Sequence, residues 1–210
     1  MTVDALRLIV ITDAAMVDAR GDGRTMRDVV SETLAAGGRA IQLRMKGATA
    51  REMAAAAREL LPVVHAHDGL LFVNDRADVA AAVGADGVHL GPHDVPVAAI
   101  RRTFGPDLLI GYSTDDPAVA RDAERDGADY LGCGAVFGTT SKDVGGEAIG
   151  AAGLKAVVDA VDIPVVGIGG ITPDRAPQVV GTGAAGVAVI GAVMSAPDPG
   201  AAVRRLLASG

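Results

Sequence analysis

Four times along the chain a glycine is followed within a few residues by the start of an apolar run. The copies are Gly37-Gly38-Arg39-Ala40-Ile41, Gly84-Ala85-Asp86-Gly87-Val88, Gly127-Ala128-Asp129-Tyr130-Leu131 and Gly183-Ala184-Ala185-Gly186-Val187. Each reads as a joint at which a glycine ends a helix and a strand begins. A joint that recurs is an internal repeat, and it restricts the chain to architectures in which helices and strands alternate.

The segments between the joints fit that alternation. Leu6–Thr12 predicts a first strand, followed by a Gly/Asp-rich loop and a helix opened by Thr25-Met26-Arg27-Asp28, whose Met26, Val30 and Leu34 share a face. Ala40–Arg44 predicts strand two, and Thr49-Ala50-Arg51-Glu52 is a capping box for a helix that buries Met53, Ala57, Leu60, Leu61 and Val64. Further strands are predicted at Leu70–Val73, Gly87–Leu90, Leu108–Tyr112, Tyr130–Cys133, Pro164–Gly167 and Gly186–Ile190. Helices are predicted at Ala77–Val83, Pro96–Phe104, Pro117–Asp126, Ala151–Ala160, Pro173–Thr182 and Asp198–Ala208.

The count is eight strands, each followed by a helix, with the four joints before strands two, four, six and eight. This predicts a single α/β domain over residues 1–210, a (β/α)8 TIM barrel whose functional face lies at the C-terminal ends of the strands. A doubly wound open sheet is the alternative, but no dinucleotide fingerprint follows strand one.

Composition narrows the partners. A formal net charge of -7, an aromatic content of 2% and the absence of Trp argue against a nucleic-acid or anionic-membrane surface. Any anion must therefore be held locally. Cys133 is the single cysteine, which excludes an internal disulfide and suits a buried structural thiol in a reducing setting. Met1-Thr2-Val3-Asp4 lacks a basic leader, and no run of apolar residues is long enough to span a bilayer, so a soluble cytoplasmic protein is expected.

Polar residues at the strand ends supply the chemistry. Val165-Val166-Gly167-Ile168-Gly169-Gly170-Ile171-Thr172-Pro173 predicts a strand, a glycine turn and a helix start, with Thr172 as N-cap and Pro173 at the first helical position. Such a turn exposes backbone N–H groups to a phosphate, although a tight turn that needs glycine for positive φ gives the same pattern. Gln42, Arg44 and Lys46 end strand two, placing two cations and an amide where a diphosphate would bind. Asp75, after Asn74 at the end of strand three, and Asp94, after strand four, are carboxylates on neighbouring loops that suit a shared Mg²⁺. Their plain alternative is to cap the helices that follow. His89 and His93 are four apart, but their strand-to-loop placement does not make a helical zinc pair.

Ser113 ends strand five, and after strand six Thr139, Thr140, Ser141 and Lys142 offer hydroxyl donors and a point charge. Ile190 and Gly191 end strand eight and would complete the glycine cradle with backbone N–H groups. Two anion sites on one face, one metal-assisted and one neutral, suggest group transfer with diphosphate as leaving group. No strong general base or activated nucleophile accompanies them.

Gln42-Leu43-Arg44-Met45-Lys46, Asn74-Asp75-Arg76-Ala77-Asp78, Gly84–Gly91, Thr139-Thr140-Ser141-Lys142 and Gly169-Gly170-Ile171-Thr172 resemble, in order, the successive motifs of the thiamine-phosphate synthase family. The resemblance runs over nearly the whole chain. It implies a TIM barrel that joins 4-amino-2-methyl-5-hydroxymethylpyrimidine diphosphate to 4-methyl-5-(2-hydroxyethyl)thiazole phosphate, releasing diphosphate by a dissociative, Mg²⁺-assisted substitution. By position it implies that Gln42, Arg44, Lys46, Asn74 and Lys142 hold the pyrimidine diphosphate and that Asp75 and Asp94 ligate Mg²⁺. Ser113 would lie beside the pyrimidine, and Thr139, Ser141, Gly170, Ile190 and Gly191 would receive the thiazole phosphate.

The implied partners are therefore two phosphorylated small molecules, and a homo-oligomer is compatible with this reading. Three residues depart from the family's usual pattern: Met45 at an often acidic position, Gly138 where proline is frequent, and Gly191 where serine is common. A thiazole tautomerase-like isomerase and a non-catalytic phospholigand-binding barrel are the alternatives.

Overall fold

The computed structural model describes residues 3–138 and 148–208. Eight parallel strands close into a barrel in sequence order: β1 (Leu8–Ile11), β2 (Ala40–Leu43), β3 (Leu70–Asn74), β4 (Gly87–Leu90), β5 (Leu109–Ser113), β6 (Tyr130–Cys133), β7 (Val165–Ile168) and β8 (Gly186–Val189). β8 pairs back onto β1 with Ile9 opposite Ala188, which closes the ring. The TIM barrel predicted from the repeat is the observed architecture. The strands read as short continuous apolar runs because both faces are covered, the inner by barrel residues and the outer by helices.

The repeat has a physical cause. Gly37, Gly84, Gly127 and Gly183 all have positive φ, at 105°, 72°, 101° and 92°. A side chain is disfavoured in that left-handed region, so the joint selects glycine. In two copies the aspartate two residues on is also structural: the N–H groups of Leu71 and Ile110 donate to carboxylate oxygens of Asp86 and Asp129, respectively, at 2.8 and 2.7 Å. These bonds tie each joint to the preceding strand at the N-terminal end of the barrel.

The outer layer contains α1 (Ala14–Asp18), α2 (Met26–Ala35), α3 (Ala50–His65), α4 (Ala77–Val83), α5 (Val97–Phe104), α6 (Pro117–Arg125), α7 (Gly150–Val158), α8 (Ala176–Val180), α9 (Gly191–Met194) and α10 (Pro199–Leu207). Thr25 with Asp28 and Thr49 with Glu52 form the capping boxes of α2 and α3. Leu61, expected inside with the rest of its helix face, is only half-buried.

Three local expectations are corrected. Leu6 and Arg7 belong to a 3-10 turn over Val3–Arg7 rather than to β1. The loop after β1 contains α1, whose N-cap Asp13 accepts the N–H of Met16, and α9 adds a short helix directly after β8. α8 begins at Ala176, so Thr172 is not its N-cap and Pro173 is not its first residue. The Thr172 carbonyl accepts the N–H groups of Arg175 and Ala176, which makes 172–175 a turn ahead of the helix. Among the described residues, no helix is long and apolar enough to cross a membrane.

Candidate active site

A cavity of about 1080 Å³ opens at the C-terminal ends of the strands. On its β2 side, the N–H of Arg44 donates to Oγ1 of the fully buried Thr12 at 3.0 Å, which anchors the chain as it leaves the strand. The guanidinium, only 10% exposed, lies 3.7 Å from an oxygen of Asp13 and lines the cavity with Lys46. Gln42 is two residues earlier and points the same way, but it sits deeper. At 3% exposure it hydrogen-bonds the Tyr130 hydroxyl and is not part of the cavity lining.

Asn74 and Asp75 line the cavity at the end of β3. Asp75 has φ of 64°, a left-handed conformation that aspartate tolerates better than most residues, and its N–H donates to the His89 carbonyl at 2.8 Å. Asp94 folds back so that its carboxylate accepts the Gly91 N–H at 2.6 Å, fixing it against a residue of the lining. Neither acid caps a helix: the N-caps of α4 and α5 are Arg76 and Pro96, without side-chain bonds. The capping alternative is therefore excluded for both.

Two hard carboxylates beside a cation-lined cavity fit Mg²⁺, which is commonly held by one or two acids together with water and substrate phosphate oxygens. An all-protein cage has no such support, because no cluster of three His, Cys, Asp or Glu side chains occurs among the described residues. His89 is unsuited to zinc, since its Nδ1 lies 2.9 Å from the Tyr130 hydroxyl and its Nε2 2.8 Å from Oγ of Ser113. His93 lies on the cavity wall.

Ser113 ends β5 on the cavity wall with its side chain fixed by that bond to His89. His89 and Tyr130 went unread in the sequence as a pair, because 41 residues separate them and only the strand register brings the rings together. Burial pushes the Tyr130 phenol's pKa up, so it remains protonated. Burial likewise pushes the fully buried Cys133 thiol up to about 12, consistent with a structural role.

Across the mouth, Gly169 and Gly170 have φ of 102° and 61° and line the cavity with Ile190 and Gly191. Their lack of side chains is needed for more than access to an anion. A Cβ at Gly169 would collide with Ala135, and one at Gly170 with Gly138 and Phe137, because the loop after β6 packs directly on this turn. That loop is held by N–H groups of Val136 and Phe137, which donate to the carbonyls of Ile168 and Gly169 at 2.8 and 3.1 Å.

The sequence predicts a neutral surface around these glycines, but the structure places a cation there. Arg175 lies on the cavity wall, 5.1 Å above the Phe137 ring, and its Nη1 donates to the Gly170 carbonyl at 2.9 Å. Its position was hidden by the early helix start assigned at Thr172. Thr139, Thr140, Ser141 and Lys142 lie outside the described residues. The barrel therefore brings Arg44, Lys46, Asn74, Asp75, Ser113, Gly170, Ile190 and Gly191 onto one cavity, with Asp94 against its edge and Gln42 beneath it.

Comparison with known proteins agrees with this geometry. A family model described as thiamine monophosphate synthase matches residues 8–193. The thiamine-phosphate synthase of Natronomonas pharaonis is 49% identical over 186 residues, covering 88% of this chain and 87% of that protein. That of Moorella thermoacetica is 47% identical, covering 89% of each. A thiamine biosynthesis bifunctional protein of Symbiobacterium thermophilum is 51% identical over 185 residues, and the matched region spans 38% of its length. The solved thiamine phosphate pyrophosphorylase of Pyrococcus furiosus superposes with a TM-score of 0.88 at 42% identity, over 99% of this chain and 96% of that one. With its matched motifs distributed around a single barrel mouth, the chain belongs to the thiamine monophosphate synthase family.

Proposed function

We propose that the protein is a thiamine-phosphate synthase that joins 4-amino-2-methyl-5-hydroxymethylpyrimidine diphosphate to 4-methyl-5-(2-hydroxyethyl)thiazole phosphate. The observation that carries this reading is the convergence on one cavity of Arg44, Lys46 and Asp75 with the Gly169-Gly170 and Ile190-Gly191 turns. One side suits a diphosphate and the other a phosphate monoester, so the two substrates would meet between them.

In this reading Arg44, Lys46 and Asn74 bind the diphosphate, assisted by Lys142, and Asp75 and Asp94 hold Mg²⁺. The ion, when bound, neutralises charge on the departing diphosphate. Gln42 supports the pocket from below rather than touching the diphosphate. The backbone at Gly170, Ile190 and Gly191, together with the hydroxyls of Thr139, Thr140 and Ser141, receives the thiazole phosphate.

The bond between the pyrimidine methylene and its oxygen breaks, and its electron pair leaves with diphosphate. The thiazole nitrogen then donates its lone pair to the methylene carbon, forming the new C–N bond. No proton moves in either step, which agrees with a site lacking a dedicated base. Arg44 and Lys46 accelerate the first step by stabilising charge that grows on the leaving group. Holding both substrates in one cavity favours capture by nitrogen over capture by water.

An isomerase would leave the β2 cations and the two acids without a task. A cytoplasmic setting belongs to the same reading. The decisive experiment incubates the protein with Mg²⁺ and both phosphorylated precursors and measures thiamine phosphate and diphosphate in equal amounts. Thiazole isomerisation without either product would overturn the proposal.

A further inference from the structure

The barrel interior contains a hydrogen-bonded chain that starts in the core and ends at the cavity. Tyr130 on β6 is fully buried and touches none of the cavity surface. Its hydroxyl meets the Gln42 side chain on β2 and lies 2.9 Å from Nδ1 of His89 on β4, whose Nε2 lies 2.8 Å from Oγ of Ser113 on β5. His89 and Ser113 both line the cavity.

The strands are shaped around this chain. A Cβ at Gly111 would overlap the Tyr130 ring and lie 2.5 Å from Nδ1 of His89, and one at Gly132 would lie 3.1 Å from Cε1 of His89. Phe72 packs edge-on against Tyr130 with ring centroids 5.3 Å apart, which fixes the phenol ring at a 42° tilt to the His89 imidazole. Packing alone would be satisfied by a phenylalanine; the buried hydroxyl is tolerated because it is hydrogen-bonded.

We propose that Tyr130 is a positioning residue that acts through His89 to make Ser113 a hydrogen-bond donor toward the pyrimidine diphosphate. The inference rests on the synthase reading for the identity of that substrate. The polarity follows from the groups themselves. A phenol is more acidic than an aliphatic alcohol and is the better donor, while the bare imidazole nitrogen is the better acceptor.

Tyr130 therefore donates its hydrogen to Nδ1 and accepts one from the Gln42 amide. His89 then carries its own hydrogen on Nε2 and donates it to Oγ of Ser113. The serine hydrogen is left for the cavity, where it meets the bridging oxygen of the leaving group, on which charge grows as the bond breaks. In the opposite polarity Ser113 would spend its hydrogen on His89 and offer the substrate only lone pairs.

Nitrogen NMR of histidine-labelled native protein tests the polarity without any substitution. The expected spectrum shows His89 with Nδ1 bare and Nε2 protonated, and Tyr130→Phe, which keeps the ring, is expected to mix the two tautomers. In steady-state assays Tyr130→Phe lowers kcat about tenfold, the worth of one well-placed hydrogen bond, with both KM values unchanged. In a Ser113→Ala background the same substitution has no further effect.

A native His89 that carries its hydrogen on Nδ1 overturns the proposal, and so do additive losses in the double variant. A wild-type protein that forms no thiamine phosphate overturns the functional reading instead, and the tautomer measurement still decides the polarity of the chain.

Discussion

A Cβ added to Gly169 would lie 2.6 Å from the Cβ of Ala135 and 2.7 Å from its Cα, so the turn after β7 and the loop after β6 are in backbone contact. Gly169 also has φ of 102°, which adds conformational strain to the collision. Gly169→Ala should reduce stability by about 2–4 kcal/mol in urea unfolding. Gly84→Ala is the comparison, because Gly84 shares positive φ but has nothing within 4 Å of the added carbon. It should lose only about 1 kcal/mol, the conformational part.

Arg175 is the only Lys or Arg among the described cavity residues that the chain supplies after β6. It faces the side assigned to the thiazole phosphate, where the other described contacts are neutral. Arg175→Gln should raise KM for thiazole phosphate roughly tenfold, as expected for losing a charged hydrogen-bonding partner. KM for the pyrimidine diphosphate should not change. Binding of the thiazole alcohol, which lacks the phosphate, should be equal in the two proteins by calorimetry, separating charge from any loosening of the Phe137 contact.

Asp75 combines a left-handed backbone with a place in the cavity wall. Asparagine also tolerates that conformation, so Asp75→Asn removes the charge and keeps the fold. The Mg²⁺ concentration for half-maximal turnover should rise by about tenfold or more, the size of effect expected when a buried or partly buried charge partner is lost. Circular dichroism should be unchanged. Wild-type Mg²⁺ dependence in this variant would remove Asp75 from the metal role.

What the sequence revealed was set by local backbone chemistry. Gly37, Gly84, Gly127 and Gly183 were legible because left-handed joints select glycine one residue at a time, and the repeat then implied the closed barrel. Arg44, Lys46, Asn74 and Asp75 were legible because polar residues just past apolar strands have one shared destination in such a barrel. Gln42 was placed on the correct face and at the wrong depth, since alternation gives direction and not height above the core. The Tyr130, His89 and Ser113 contacts depend on register across three strands, which no local pattern encodes. Arg175 was missed because Thr172-Pro173 carries a strong helix-start signal that the chain uses for a turn instead.

Cys133 has no exposed surface, and burial pushes its thiol up to about 12. The native protein should fail to react with a disulfide reagent at mildly alkaline pH and react fully once unfolded in urea. The linkage has a definite sign. The unfolded thiol loses its proton at a lower pH than the native one, so the unfolded state binds fewer protons there and stability falls as pH rises above the ordinary thiol value. Cys133→Ala should flatten that alkaline decline while removing some packing.

The aspartates of the repeat provide a test of stability that leaves the chemistry alone. One carboxylate oxygen of Asp129 accepts both the Ile110 N–H at 2.7 Å and Nη2 of Arg101 at 2.6 Å, while Arg101 also donates to the carbonyls of Gly105, Leu108 and Gly127. Asp129→Ala leaves a strand N–H without its acceptor and a part-buried arginine without its counter-ion. The expected loss is about 2–3 kcal/mol, read as a lower urea midpoint with an unchanged m-value. Asp86 makes the equivalent bond to Leu71, but its second partner is His65, which is 45% exposed and surrounded by more water. Asp86→Ala should therefore cost less, about 1–2 kcal/mol. Both residues lie at the opposite end of the barrel from the cavity, so kcat should match wild type in each. A larger loss in Asp86→Ala, or a fall in kcat in either variant, would show that the joints at the base of the barrel are coupled to its mouth.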